Sequence, residues 1–94
     1  MSHTAGPWEA CGNLVRTVRG PGGEGGFLIA ECPANLGDRI ENALLIAAAP
    51  EMLDALRQAV VTLAGVLVHA PELGVRKDYE IVSAAIAKAT GSAA

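Results

Sequence analysis

The chain is poor in aromatic residues, which make up 3% of its 94 residues as Trp8, Phe27 and Tyr79. This scarcity excludes a core built on large rings, so Leu, Val, Ile and Ala must fill it. Small side chains let elements approach closely, but each removes little apolar area from water. A domain of this length buries only roughly 60–65% of its unfolded surface. A monomer is therefore expected to be marginal, and self-association is a natural remedy. Cysteine is also scarce: Cys11 and Cys32 alone do not make a secreted disulfide scaffold. Basic charge is in deficit, with seven Lys and Arg against ten Asp and Glu and a net charge of −3. That excludes a broad phosphate-tracking surface on duplex nucleic acid but leaves room for an anion pocket of two or three arginines. The start Met-Ser-His-Thr-Ala-Gly-Pro-Trp lacks the basic and apolar regions of a signal peptide. Arg57, Gln58 and Glu72 interrupt the candidate apolar runs, so no membrane span is expected. The expectation is a soluble, cytoplasmic protein.

What is present falls into two textures. Residues 1–37 hold eight of the eleven glycines and three of the five prolines. Within them Leu14–Arg19 is short and β-branched, which suits a strand. Gly20–Gly26 reads as a turn, Phe27–Cys32 as the partner strand, and Trp8-Glu9-Ala10 as a candidate third strand. Pro33 ends the pairing by removing a ladder donor. From Asp38 the period becomes helical, with Asp38 placed to cap a helix running to about Ala48. Pro50 suits the first turn of a second helix. There Leu53, Leu56, Val60, Leu63 and Leu67 alternate at intervals of three and four, a seam for another helix. Pro71 and Gly74 punctuate a loop, and Asp78 is placed to cap a third helix striped by Tyr79, Val82, Ile86 and Ala89. Residues 91–94 read as a frayed tail. The fold class is α+β: one domain with a small N-terminal antiparallel sheet (1–37) and a helical half (38–90) that oligomerises through its helices.

Motifs for chemistry are sparse. The glycine-rich turn lacks the Lys-Ser/Thr and following helix of a phosphate loop, and Phe27 and a strand come next instead. His3, Cys11, Cys32 and His69 have no metal-ligand spacing, so neither metal nor cofactor is expected. Nothing places a base beside either cysteine, and the pair Glu51 and Asp54 suits a helix dipole better than catalysis. Catalysis is therefore not expected. The ligand-binding candidates are Arg16, Arg19, Arg39, Trp8, Phe27 and Asn42. Arg16 and Arg19 lie three apart, on opposite faces of one strand, and would converge with Arg39 only across a dimer interface. A guanidinium offers bidentate contacts to phosphate, although taken alone solvated charge on a sheet face is the better account of all three arginines. Trp8 and Phe27 either stack a base or fill the sheet-to-helix core. Asn42 either caps locally or reads a polar ligand edge.

His3-Thr4-Ala5-Gly6-Pro7-Trp8, followed after the sheet region by Asn42-Ala43-Leu44-Leu45-Ile46-Ala47-Ala48-Ala49-Pro50-Glu51-Met52-Leu53-Asp54-Ala55-Leu56, resembles a family of small phage and prophage proteins. Ala5 stands where that pattern has proline, and Met52 where it has leucine. The order of a β half and two C-terminal helices is more distantly similar to the phage anti-Thoeris signal sponges. Those hold cyclic nucleotide signals between protomers without cleaving them, and none of their binding residues is carried over to this chain. The resemblance implies a phage anti-defence protein of the host bacterial cytoplasm that sequesters a cyclic nucleotide. On that reading Arg16, Arg19 and Arg39 take phosphates, Trp8 or Phe27 stacks a base or ribose, and Asn42 reads a polar edge. The seam Leu53, Leu56, Val60, Leu63 and Leu67 builds a homo-oligomer. The alternative is an inhibitor or adaptor, such as an anti-CRISPR, that binds a protein through an exposed apolar or charged patch.

Overall fold

Residues 3–35 and 37–92 are described in the structure, a computed structural model. Three short strands come first: β1 (Trp8–Cys11), β2 (Leu14–Thr17) and β3 (Leu28–Glu31). Helices α1 (Arg39–Ala47) and α2 (Ala49–His69) follow, then a 3-10 turn at Pro71–Leu73 and helix α3 (Arg76–Thr90). The α+β class is as the sequence indicates. The sheet is antiparallel in the order β1-β2-β3, so Trp8-Glu9-Ala10 does contribute a third strand.

Gly12 and Asn13 alone connect β1 to β2, and Cys11 pairs with Leu14. Gly12 has φ +62°, as the first central position of a tight hairpin turn requires. The Asn13 side-chain amide donates to the Cys32 carbonyl at 2.8 Å, while the Cys32 N–H donates to the Asn13 carbonyl. This turn is thereby tied to the chain leaving β3.

Between β2 and β3 the register slips. Val15 pairs with Ala30 but Arg16 pairs with Leu28, leaving Ile29 as an extra residue on β3. A bulge of this kind breaks the two-residue alternation. It lets neighbouring Ile29 and Ala30 both pack on the core while Leu28 and Glu31 stay exposed.

Val15, fully buried, is the centre of that core, with Cys32, Ala43 and Ala47 around it. Trp8, Ala10, Ile29, Ala30 and Ile46 close its sides. Ala43 and Ala47 lie four apart on α1, so the helix presents methyl groups to the sheet and can sit close to it. Buried Thr17 is satisfied: its Oγ1 accepts from the Phe27 N–H at 2.8 Å. Gly6 closes on Pro50, a buried residue in the first turn of α2.

Thr4–Glu51 forms one compact unit, and the chain from Met52 onward forms most of a second. Neither α1 nor α3 begins on a side-chain cap. Asp78 does not cap α3, which starts two residues earlier behind Val75, leaving Asp78 in its first turn. Asp38 does hold the N-cap position of α1, yet its side chain makes no capping bond. At the end of α3 the Gly91 N–H donates to the Lys88 carbonyl and the Ser92 N–H to the Ala87 carbonyl. These two bonds make a Schellman closure at 91 and 92, and residues 93 and 94 of the expected tail lie outside the described part. Helix α2, with 21 residues, is long and apolar enough to cross a bilayer by length and composition. Arg57 and Gln58 do not remove it from that class, and Glu72 falls in the turn beyond it.

Candidate functional site

Strand β2 ends at Thr17, so Arg19 lies beyond the sheet and not on its opposite face. The Gly20–Gly26 segment turns back on itself, with the Gly20 N–H donating to the Glu24 carbonyl and the Gly23 N–H to the Gly20 carbonyl. Both arginines reach this loop. Arg16 Nη1 donates to the Gly26 carbonyl at 3.2 Å, and Arg19 Nη1 donates to the Gly23 carbonyl at 3.3 Å. The Arg19 side chain also occupies the space where a Cβ on Gly26 would lie. The bare backbone of that glycine is therefore what admits the guanidinium.

A guanidinium has five N–H donors, so one loop carbonyl leaves most of its capacity for another group. Next to the loop, Phe27 is 70% exposed and Leu28 54% exposed. The backbone of Phe27 is fixed by two bonds with Thr17, yet its ring is held in no core. Arg16 and Leu28 are cross-strand partners on one sheet face, Phe27 lies opposite Thr17 on the other, and all three border the loop that holds Arg19. The charge there is close to balanced: Glu9 is the cross-strand partner of Arg16, and the Glu24 carboxylate lies against Gly20 and Gly22.

The other binding candidates lie elsewhere. Trp8 packs against the core formed by Val15, Ala43 and Ala47, which favours its structural reading over base stacking. Arg39 and Asn42 are half-buried in the first turn of α1, where the Asn42 N–H donates to the Asp38 carbonyl. The structure therefore brings together Arg16, Arg19 and Phe27 from the six. Leu28 was missed by sequence reasoning. The signal for it was present, since an apolar residue following Phe27 on a short edge strand has no second sheet face to cover it.

Of the seam residues, Leu53 is buried, while Leu56, Val60, Leu63 and Leu67 are half-buried. A second apolar surface lies on α1, where Leu44 and Leu45 are 58% and 61% exposed. Cys11 is exposed and Cys32 buried, both as free thiols.

No curated protein and no solved structure matches this chain. A family model described as Salmonella phage P22 protein Y8K6 matches residues 1–93. With nearly the whole length matched, the chain belongs to that family of phage proteins.

Proposed function

We propose that this phage protein acts by binding another protein, without catalysis, through the exposed residues around the Gly20–Gly26 loop: Phe27, Leu28, Arg16 and Arg19. The observation that carries this reading is that one loop orients two guanidiniums by its carbonyls and is followed directly by the exposed Phe27 and Leu28. Guanidiniums held in place lose little freedom on docking, and aromatic and Arg side chains are the usual energetic centres of protein interfaces. Glu9 and Glu24 offset the arginines. An interface must match such mixed charge, whereas a bare phosphate would meet repulsion. The partner surface that fits has an apolar socket for the ring and carboxylates at its rim. The setting is the host cytoplasm, with a component of antiviral defence as the target.

A second reading keeps the same residues and changes the ligand. Arg16, Arg19 and Phe27 gathered on one loop are also the parts needed to grip a phosphate and stack a base, as a sponge for a cyclic nucleotide signal would. One experiment separates the two. Purified protein is incubated with a panel of cyclic nucleotides, heat-denatured, and the supernatant assayed. In parallel, wild-type and Phe27→Ala proteins are used as bait in host lysate. No nucleotide uptake, with a defined host protein retained by wild type and lost at least tenfold by Phe27→Ala, supports protein binding. Uptake and intact release would replace it with the sponge. A chemically changed nucleotide would make the protein an enzyme and end both readings.

A further inference from the structure

We propose that two copies of this chain join through the apolar stripes of α2 and α3 to form a four-helix bundle. The second unit lacks what a folded helical pair normally has. From Met52 to His69 only Leu53 is buried, and no described residue of α3 is buried at all. Its inward candidates stop halfway: Leu56, Val60, Leu63 and Leu67 on α2, and Tyr79, Val82 and Ile86 on α3, are all half-buried. Neither α2 nor α3 has another described element packed closely along its length, so the stripe on each stays uncovered. A second layer of helices across the open side converts half-burial into a core.

The occupant is argued from the stripe itself. Intervals of three and four along Leu53, Leu56, Val60, Leu63 and Leu67 make ridges that fit the grooves of an identical helix. The only charges between Met52 and His69 are Asp54 and Arg57, which face each other at 3.8 Å on one helix. The stripe thus has no net charge with which to select an oppositely charged partner, and a second copy brings no repulsion to it. Size also fits. Helices of 21 and 15 residues are about 31 and 22 Å long, enough for an interface on the order of 600–800 Å² per copy. That is the range of a stable dimer. The stripe shares no residue with the Phe27 loop, so the two proposals are tested independently.

Sedimentation equilibrium between 1 and 100 µM tests it, together with Leu63→Asp in the stripe and Val61→Asp on the exposed side of α2. The expected results are a mass twice the 9.6 kDa of the chain, half that for folded Leu63→Asp, and no change for Val61→Asp. If Leu63→Asp loses its helical circular dichroism, Leu67→Ala serves instead, with the dimer dissociation constant raised at least tenfold at unchanged helicity. Flotation with neutral and anionic phospholipid vesicles is run alongside, and the protein should remain at the bottom of the gradient. A wild-type monomer at 100 µM, an assembly other than two, a dimer insensitive to the stripe variants but broken by Val61→Asp, or flotation with vesicles would each overturn the proposal.

Discussion

Gly6 stands directly against Pro50: a Cβ on Gly6 would lie 2.8 Å from the Pro50 Cβ and 3.1 Å from its Cγ. The contact joins two distant segments of the chain, Gly6-Pro7-Trp8 and Ala49-Pro50. Trp8, two residues on, packs on the same core as Ala43 and Ala47. These residues therefore specify packing. Gly6→Ala should force the N-terminal segment off the stiff proline ring and cost about 1–3 kcal/mol of stability. Urea denaturation reads this directly, and a midpoint equal to that of wild type would show that the segment yields freely.

Val15 and Thr17 are neighbours on one sheet face and should fail in different ways. Val15→Ala empties a site with no solvent access and should cost about 2–3 kcal/mol. Thr17→Val keeps the volume but removes the oxygen that accepts from the Phe27 N–H, at a cost of about 1–3 kcal/mol. Amide exchange separates them. Thr17→Val should speed exchange mainly at Phe27, whereas Val15→Ala should speed it throughout the sheet.

At the end of α3, Gly91 has φ +71°. Gly91→Ala places a Cβ in the left-handed region and should cost about 1 kcal/mol. The loss should show as faster exchange at Gly91 and Ser92, with the sheet unaffected.

Phe27→Ala should leave thermal stability within about 0.5 kcal/mol of wild type, because so little of the ring is covered. Arg16→Ala should cost about 0.5–1.5 kcal/mol through its half-buried bond to Gly26, and Arg19→Ala less, because its bond to Gly23 is exposed. Calorimetry orders the three, and a melting loss for Phe27→Ala larger than that for Arg16→Ala would assign the ring a structural role.

The sequence carried the element types because they rest on spacing. β-branched Val15 and Thr17, two apart in a short run, suit a strand, and the three-and-four rhythm of α2 suits a helix. The bulge was hidden because Phe27-Leu28-Ile29-Ala30 is apolar at every position, so no polar residue marks which side faces out. The start of α3 was displaced because a capping side chain was sought at Asp78, whereas Val75 serves through its backbone alone. The meeting of Arg16 with Arg19 was illegible for a similar reason. It depends on where β2 stops and on carbonyls of a folded-back loop, and neither is encoded in side-chain chemistry.

The extra residue at Ile29 gives chain length an unequal meaning along this sheet. Between Val15–Ala30 and Arg16–Leu28 the count is fixed: deleting one residue of β3 would turn Leu28 inward and expose an inner neighbour. A few residues away, in Gly20–Gly26, an added residue merely widens a surface loop at a small entropic cost. Length differences among relatives should therefore gather in the loop and avoid β3. Since Arg16 and Arg19 both fasten to that loop, its length is where such proteins can change the spacing of their cations without disturbing the fold.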